Sequence, residues 1–281
     1  MSIILATGGL GFVGSHTCIN LLNKGFDVIV IDSLINSSYK NLEKIKKVID
    51  FNKISNAGEL SFYKGDLRNT KWLYNIFEKQ ISLKKPIDSV IHFAGLKSVK
   101  ESVLEPLKYW ETNINSTLSL LSAMDKFSCF NLVFSSSATI YRPIEGEKLH
   151  EYSFQDPTNP YGYTKVTIEK ILNDLYKSNK NKWKIISLRY FNPVGAHDSG
   201  LIGEEPITEP SNLFPAIENV VLGKANKLFI HGSDYPTLDG TCVRDYIHIM
   251  DLSEAHFAAL QLLNDNIPQN ISINVGTGIG L

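Results

Sequence analysis

The chain reads Thr-Gly-Gly-Leu-Gly-Phe-Val-Gly at residues 7–14, directly after an apolar run at Ser2–Ala6. Gly8, Gly11 and Gly14 have the G-x-x-G-x-x-G spacing of a turn that joins a strand to a helix around a dinucleotide pyrophosphate. In such a turn the first glycine permits the bend, the second admits the pyrophosphate and the third allows close helix packing. The amino terminus of the helix adds free N–H groups and a partial positive charge. The stretch therefore predicts a strand, a turn and a helix that together bind a dinucleotide.

Around and beyond this turn, short apolar runs alternate with longer amphipathic ones over two thirds of the chain. The apolar runs predict parallel strands, because they are short and mostly apolar on both faces. The predicted strands are Ser2–Ala6, Val28–Ile31, Leu60–Tyr63, Ser89–Phe93, Asn131–Phe134 and Lys184–Arg189. The predicted helices are Val13–Lys24, Ser38–Phe51, Lys71–Lys79, Ser102–Lys126 and Tyr161–Asn179. This alternation predicts an α/β fold with a doubly wound parallel (Rossmann) sheet and right-handed crossovers.

From about residue 193 the pattern changes to loops rich in proline and glycine. Helices are predicted at Asn212–Leu222 and Asp251–Leu263, and strands at Leu228–Ile230 and Ser272–Val275. We therefore expect two regions, a dinucleotide-binding Rossmann domain over residues 1–192 and a smaller, irregular substrate region over residues 193–281. Because the chain stops in a glycine-rich turn just after a predicted strand, we expect the second region to be truncated and incomplete at its carboxyl end.

Composition and charge exclude several classes of protein. The chain has 28 Lys plus Arg, 29 Asp plus Glu and a net charge of −1, which does not favour nucleic acid or an anionic membrane as a partner. No apolar run reaches the roughly 18 to 20 residues of a membrane-spanning helix, and glycines interrupt the amino-terminal segment that would otherwise resemble a signal peptide. Cys18, Cys129 and Cys242 are odd in number and far apart, without zinc-site spacing, so we expect no metal and a reducing, cytoplasmic location.

Acidic residues end two of the predicted strands. Asp32 follows Gly14 by 18 residues, close to the roughly 20 expected for a carboxylate that accepts from ribose hydroxyls. A carboxylate at this place also repels a 2′-phosphate, so it favours NAD over NADP. The alternative is an ordinary turn aspartate at a strand end. Asp66 repeats the pattern after the third strand and is a weaker candidate for a residue beside the adenine.

Tyr161 and Lys165 stand four residues apart at the start of a predicted helix, and therefore on one face of it. A lysine ammonium one helical turn away is expected to lower the pKa of the phenol by about two units, so that the tyrosine can exchange a proton near neutral pH. Tyr176 and Lys180 share the spacing but lie at the polar end of the helix. Tyr161 is distinguished from Tyr176 by the Ser-Ser-Ser-Ala-Thr segment at residues 135–139, where the fifth predicted strand ends. Open α/β sheets bind ligands at the carboxyl ends of their strands. Three serines are also compatible with an ordinary polar turn. Together with the Tyr161–Lys165 pair, however, they indicate a catalytic hydroxyl.

Ten blocks then occur in a characteristic order. They are Thr7–Gly14, Asp32, Gly65-Asp66, His92–Lys97, Ser135–Thr139, Pro160–Lys165, Arg189–His197, Asp234–Thr237, Asp239–Thr241 and Val243–His248. Over the whole chain they resemble the UDP-glucose 4-epimerases, a family of extended short-chain dehydrogenase/reductases. The blocks His-Phe-Ala-Gly-Leu-Lys and Arg-Tyr-Phe-Asn-Pro-Val-Gly-Ala-His are the most specific of them.

The resemblance implies a role for each matching residue. The catalytic residues would be Tyr161 as acid and base, Lys165 as its electrostatic partner and Ser137 as a hydroxyl that bridges tyrosine and substrate. The residues that bind NAD would be Gly8, Gly11, Phe12, Val13, Gly14, Asp32, Ser33, Leu34, Asn36, Ser37, Asp66, Leu67, Phe93, Ala94, Gly95, Leu96, Lys97, Asn113, Ser137, Tyr161, Lys165, Tyr190 and Phe191. The residues that bind the substrate would be Ser137, Thr139, Tyr161, Phe191, Asn192, Asn212, Leu213, Phe229, His231 and Arg244.

The implied reaction is the reversible inversion of UDP-galactose and UDP-glucose at C4, with tightly held NAD and a 4-keto sugar between the two hydride transfers. The resemblance also implies a homodimer built on the helices Ser102–Lys126 and Tyr161–Asn179. Two alternatives are weighed. A nucleotide-sugar 4,6-dehydratase needs an acidic pair where Ala138 and Thr139 stand, and a non-catalytic NAD-binding protein of the same fold has no need of the Ser–Tyr–Lys set. Arg142 and His231 depart from the family pattern.

Overall fold

The structure is a computed structural model that describes residues 2–142, 147–207, 212–230, 232–265 and 267–281. Strands and helices alternate along the chain from its first apolar run. The strands are β1 (Ile3–Thr7), β2 (Asp27–Asp32), β3 (Leu60–Lys64), β4 (Ser89–His92), β5 (Asn131–Ser137), β6 (Lys184–Tyr190), β7 (Asn192–Val194), β8 (Tyr246–His248) and β9 (Gln269–Val275). The helices are α1 (Phe12–Asn23), α2 (Tyr39–Asn52), α3 (Thr70–Ser82), α4 (Val99–Leu104), α5 (Pro106–Lys126), α6 (Pro160–Ser178), α7 (Leu213–Val221) and α8 (Ile249–Asn264).

Seven strands form one parallel sheet in the order β3-β2-β1-β4-β5-β6-β9. The strand order reverses between β1 and β4, which pair up to Thr7 and His92 at their carboxyl ends. The connections leaving these two strands run in opposite directions, so a crevice opens there, and open α/β sheets bind ligands in that crevice. The predicted Rossmann sheet is confirmed.

Two hydrophobic cores cover the two faces of the sheet. In β1, Ile4 and Ala6 point into the core formed with α1, α2 and α8, whereas Ile3 and Leu5 point into the core formed with α3, α5 and α6. This division follows the period of two in a strand, whose successive side chains point to opposite faces. Both faces of the strand are buried, which explains why the strand sequences are apolar throughout instead of alternating.

One predicted helix is two helices in the structure. The stretch Ser102–Lys126 was expected to be continuous, but α4 ends at Leu104 and α5 begins at Pro106. Proline has no backbone N–H, and it moves the preceding residue out of the helical conformation. Glu105 accordingly has φ −127° and ψ 58°, so the prediction of one continuous helix is wrong.

The predicted strand at Leu228–Ile230 is also wrong. These residues are irregular, their side chains are 40%, 64% and 73% exposed, and no described strand pairs with them. A strand needs a partner for its backbone groups. The sequence instead missed a small parallel pair of three-residue strands, β7 and β8, which joins the end of β6 to the residues before α8.

The two expected regions share the main sheet. Both α8 and β9 fall within residues 193–281, yet β9 pairs with β6 over its whole length and α8 packs against α1. Residues 195–245 thus form an excursion between β7 and β8. Among the described residues, no helix is both long and apolar enough to cross a bilayer.

Candidate active site

The glycine-rich turn has the geometry that its spacing predicts. Gly8 has φ +68°, and a Cβ there would lie 2.7 Å from the backbone of Ala94. A Cβ on Gly14 would lie 2.6 Å from the carbonyl oxygen of Gly8. Around Gly11, the carbonyl oxygen of Gly8 at 3.3 Å is the one atom near such a Cβ among the described residues. The turn is therefore packed against the backbone of Ala94 at Gly8 and against its own backbone at Gly14, and it is open around Gly11.

The first helix presents its amino terminus at this turn. Helix α1 begins at Phe12, followed by Val13. Its N-cap is Gly11, so no side chain caps the helix. Ser15 donates its backbone N–H to Gly11, which starts the helical hydrogen bonding. A helix amino terminus without a capping side chain keeps N–H groups and a partial positive charge for a phosphate.

Asp32 lies at the end of β2 and is nearly buried. Its Oδ2 accepts from the backbone N–H of Leu10 at 3.0 Å, and its Oδ1 accepts from the backbone N–H of Leu34 at 2.9 Å and the Ser37 hydroxyl at 2.7 Å. These bonds tie the glycine-rich turn to the loop after β2. An ionised carboxylate has about four acceptor positions, so Asp32 retains capacity for one more donor.

A cleft runs along the carboxyl ends of β1, β2 and β4. It brings together residues from four of the predicted segments. Its lining includes Gly8, Asp32, Ser33, Asn36, Asp66, Leu67, Ala94, Gly95 and Leu96 from the residues predicted to bind NAD. It also includes Ile31, Ile35, Gly65, Thr112 and Ser116, which were not in that predicted set. Asp66 is half-exposed here, and its hydrogen bonds with Arg68 lower the pKa of its carboxyl group.

The elongated cleft, its carboxylate at the β2 end and the open glycine turn suit a dinucleotide with ribose and pyrophosphate groups. The structure thus offers the features that NAD requires. The glycine turn is the strongest of them, because a Cβ at Gly8 or Gly14 would clash with the backbone and prevent the turn from forming.

Asn113 connects this cleft to α6, the helix that carries Tyr161 and Lys165. Its Oδ1 accepts from the backbone N–H of Leu96 at 2.8 Å, and its Nδ2 donates to the Leu96 carbonyl at 3.1 Å and the Thr164 hydroxyl at 3.0 Å. Thr164 in turn donates to the carbonyl of Tyr161. Asn113 is 2% exposed, so it fixes the loop Phe93–Lys97 relative to α6. Sequence reasoning missed Thr164, which only the three-dimensional contact identifies.

Ser137, Tyr161 and Lys165 come together as predicted. The Ser137 Oγ accepts from the backbone N–H and hydroxyl of Thr139, at 3.2 and 2.9 Å, and its own hydrogen bonds to the Tyr161 phenol. The Lys165 Nζ lies 5.8 Å from the centre of the Tyr161 ring and donates to the carbonyl of Ser135 at 2.6 Å. Residues 138 and 139, in a short 3-10 helix, carry no carboxylate.

The expected lowering of the Tyr161 pKa does not occur in the ligand-free protein. Burial raises the pKa of Tyr161 to about 12, and the hydrogen bond from Ser137 offsets only part of this. Burial also lowers the pKa of Lys165 to about 8, against the attraction of Glu169. Desolvation disfavours the charged form of each group, and the sequence estimate had considered only their mutual attraction. The prediction that the pKa of Tyr161 is lowered is therefore wrong for the ligand-free protein.

The end of β6 supplies three further predicted residues. Tyr190 is 7% exposed, and its hydroxyl bonds to Nε2 of His256, a buried histidine of α8 that sequence reasoning missed. Phe191 is part-buried and donates its backbone N–H to Val275. The Nδ2 of Asn192 donates to the Asp245 carbonyl at 2.9 Å. These contacts connect β6 to β8 and β9.

The predicted substrate residues between β7 and β8 are mostly exposed. Asn212 is the N-cap of α7, as expected, with Nδ2 3.2 Å from Glu204. Leu213 and Phe229 are 45% and 64% exposed. The Arg244 side chain is exposed and donates to the neighbouring carbonyl of Val243. His231 lies outside the described residues.

Comparison with known proteins identifies the same architecture. Residues 4–276 match the NAD dependent epimerase/dehydratase family. The chain is 47% identical over 277 residues to UDP-glucose 4-epimerase 2 of Arabidopsis thaliana, covering 99% of this chain and 76% of that protein. It is 45% identical over 277 residues to the UDP-glucose 4-epimerase of Bacillus subtilis, covering 99% and 78%.

A solved structure gives the matching result in three dimensions. The UDP-glucose 4-epimerase of Bifidobacterium longum, crystallised with NAD+ and UDP, superimposes with a TM-score of 0.90 at 41% identity. The match covers 100% of this chain and 79% of that one.

Proposed function

We infer the activity from family membership, because this chain belongs to the NAD-dependent epimerase/dehydratase family and, within it, to the UDP-glucose 4-epimerases. It is an isomerase that interconverts UDP-galactose and UDP-glucose at C4 with NAD as cofactor. The observation that supports this most directly is the meeting of Ser137, Tyr161 and Lys165 beside a cleft suited to a dinucleotide. No feature of the described residues favours the dehydratase, since residues 138 and 139 are Ala and Thr.

The cofactor would lie along the cleft at the carboxyl ends of β1, β2 and β4. The backbone of the glycine turn and the first turn of α1 would hold its pyrophosphate, and Asp32 would accept from the adenosine ribose. Asp66 would border the adenine. When bound, NAD would supply the acceptor for the C4 hydride, and its reduced form would supply the hydride donor.

Tyr161 is the proposed acid and base for the 4-hydroxyl. In the ligand-free site burial keeps its proton in place, and its pKa is raised to about 12. Ser137 donates to the phenol oxygen, and Lys165 places an ammonium group near its ring. Both interactions favour the phenolate, so they act in the direction needed once ligands change the charge of the site. Asn113 and Thr164 would fix this helix relative to the cofactor loop.

The UDP part of the substrate would contact the excursion between β7 and β8. We propose that Asn212 and Phe229 line this surface, that Asn192 in β7 lies at its edge, and that Arg244 binds the diphosphate. A guanidinium suits this role because it can donate two parallel hydrogen bonds to phosphate oxygens.

We further propose a homodimer that works in the cytoplasm. Exposed apolar side chains on α4 and α5 support the first part, because Leu104 at the end of α4 and Leu107 and Trp110 at the start of α5 are 73%, 81% and 37% exposed, and exposed apolar surface marks interaction sites. Sedimentation at twice the mass of one chain tests it. The cysteines support the second part, because Cys18 and Cys129 are buried free thiols and disulfides are rare in reducing compartments.

A direct assay tests the activity. The purified chain is incubated with NAD and UDP-galactose alone, and UDP-glucose is measured by anion-exchange chromatography, with absorbance at 340 nm followed in parallel. We expect UDP-glucose to form without net accumulation of NADH, because the hydride returns to the sugar. Absence of conversion, or NADH formed in proportion to sugar consumed, would refute epimerisation.

A further inference from the structure

Helix α6 carries a third polar residue on its catalytic face. Tyr161, Lys165 and Glu169 are spaced at i, i+4 and i+8 and so line one side of the helix. Opposite them, β5 ends in three consecutive serines. Tyr161 hydrogen bonds to Ser137, and Lys165 donates to the carbonyl of Ser135 at 2.6 Å.

Glu169 continues this pattern of contacts. Its Oε1 accepts from the hydroxyl of Ser136 at 2.5 Å. We call these six residues, Tyr161, Lys165, Glu169 and Ser135–Ser137, the catalytic seam. Sequence reasoning used the first two residues of the helix face and did not continue to the third.

The carboxylate of Glu169 is fixed by a buried ion pair. Arg189 in β6 donates through Nε to Oε1 at 3.0 Å and through Nη2 to Oε2 at 2.6 Å. The two side chains are 4% and 9% exposed. Arg189 is itself held, because its Nη1 donates to the hydroxyl of Tyr141 and the carbonyl of Glu151, both at 2.7 Å.

A buried ion pair of this kind is weak evidence for a contribution to stability. Removing both charges from water costs several kcal/mol per ion, and apolar residues of similar volume often serve as well or better. The position of the pair, one helical turn beyond Lys165 and in contact with the adjacent serine, points instead to an effect on the lysine.

We propose that Glu169 is a positioning residue for Lys165, and that its fixed carboxylate keeps the buried lysine in its charged form against the carbonyl of Ser135. The proposal deepens the epimerase assignment and rests on it for the role of Lys165. Arg189 and Ser136 serve this arrangement by preventing the carboxylate from turning away.

The surroundings of Lys165 support this role. Its Nζ lies 4.8 Å from the centre of the Phe134 ring, and Tyr161 faces it from its own helix. From β4 it faces His92, whose pKa burial lowers to about 3, so that this imidazole is neutral. Among the described residues, Glu169 is the group that raises the pKa of Lys165, opposing the larger effect of burial.

The proposal is tested by measuring the titration of Lys165 directly. The protein is labelled with 13Cε-lysine, the Lys165 signal is assigned with Lys165→Met, and its chemical shift is followed by NMR from pH 6 to pH 10. In Glu169→Gln we expect the midpoint to fall by about one pH unit or more, since a carboxylate one turn away interacts strongly with an ammonium in a site of low dielectric. The matched control is Asp125→Asn, which breaks the exposed pair with Lys182 and should leave the midpoint unchanged.

A second variant covers the possibility that Glu169→Gln alone leaves Arg189 buried without a partner and unfolds the protein. Glu169→Gln combined with Arg189→Met removes both charges, and circular dichroism checks its fold. A downward shift is again expected, because Glu169 and not Arg189 is among the groups that shift the pKa of Lys165. The shift should be no larger than in Glu169→Gln, since the double variant also loses a positive charge. An unchanged midpoint in either folded variant overturns the proposal.

The kinetic consequence distinguishes this proposal from the epimerase assignment. In Glu169→Gln, kcat/KM should fall at least about tenfold at pH 8.5, where Lys165 loses its proton, and less at pH 6.5. A purely structural role would lower both values alike. The NMR titration requires no turnover, so an inactive wild-type protein would refute the assigned activity while leaving the relation between Glu169 and Lys165 measurable.

Discussion

The catalytic seam and the excursion between β7 and β8 differ in how far each is organised before any ligand binds. In the seam, Lys165 is 5% exposed, and strand atoms accept or donate a hydrogen bond at each of its three helix positions. In the excursion, Phe229 is 64% exposed and Arg244 bonds to its own neighbour. The groups proposed to exchange protons are thus fixed by the sheet, whereas Phe229 and Arg244, which are proposed to bind the nucleotide, lie on irregular backbone.

This difference has an energetic consequence. Burial in the seam shifts the pKa of Tyr161 upwards and that of Lys165 downwards, so both charged forms are disfavoured in the ligand-free protein. A preorganised site of low dielectric strengthens each remaining interaction. Substitutions in the seam should therefore change the chemistry strongly, and substitutions in the excursion should change binding moderately.

The largest effect is expected for Tyr161→Phe. This change removes one hydroxyl and little volume, so the fold and NAD binding should persist while kcat falls by about 100-fold to 10,000-fold. Tyr176→Phe, at the other end of the same helix, should have no effect because its hydroxyl takes no part in the site. Steady-state kinetics and NAD titration measure both. If the two substitutions prove equally harmful, the choice of Tyr161 as acid and base is wrong.

The next effect concerns stability in acid. Burial lowers the pKa of His256 to about 4 and that of His92 to about 3, from 6.5 for the ordinary side chain. Below pH 6.5 the unfolded chain binds protons that these folded histidines do not, so the stability present above pH 6.5 is lost as the pH falls. Each histidine should remove roughly 2 kcal/mol of unfolding free energy by pH 4.5.

Urea denaturation at pH 7 and pH 4.5 measures this loss. His256→Asn should reduce the difference between the two values, whereas His150→Asn, at an exposed position, should not. Equal pH dependence in His256→Asn and the wild type would mean that His256 takes up its proton while the protein is folded.

The sequence predicted the sheet well because strands that are buried on both faces consist of consecutive apolar residues, which are easy to recognise. The runs Val28–Ile31 and Lys184–Arg189 lie in β2 and β6 almost residue for residue. The error at Ser102–Lys126 was avoidable, since Pro106 stands within that stretch and proline begins helices. The error at Leu228–Ile230 was not, because an apolar triplet does not reveal whether a partner strand is present.

The site was predicted where spacing along one element carries the information. Tyr161 and Lys165 lie on one helix, and Ser137 ends a strand, so all three were found. His256 and Arg189 reach the site from other elements, and no local spacing relates them to it. The sign of the Tyr161 pKa shift was missed for a different reason, since burial depends on neighbours that the sequence does not list.

A smaller effect is expected for the choice of cofactor. Asp32 ends β2 in the cleft, and its negative charge would repel a 2′-phosphate. Asp32→Asn keeps the shape and one acceptor, so the ratio of NAD to NADP affinity should fall at least about tenfold, or 1.4 kcal/mol. Asp27→Asn, at the other end of the same strand, should leave the ratio unchanged. Calorimetry with both cofactors decides it, and a ratio unaltered by Asp32→Asn would contradict the assignment.

The smallest effect is expected in the excursion itself. The Arg244 side chain is exposed, so its bond to a diphosphate would remain partly solvated. Such a charge pair contributes about 1 kcal/mol, and Arg244→Ala should therefore weaken UDP binding about fivefold while NAD binding and the Lys165 titration stay unchanged. Lys224→Ala, which removes another exposed cation of the excursion, should change neither affinity beyond the general effect of one lost charge. Calorimetry with UDP and with NAD measures the affinities of the wild type and of both variants. If Arg244→Ala weakens NAD binding as much as UDP binding, the excursion is coupled to the cofactor cleft, and the contrast between a fixed seam and an independently binding excursion fails.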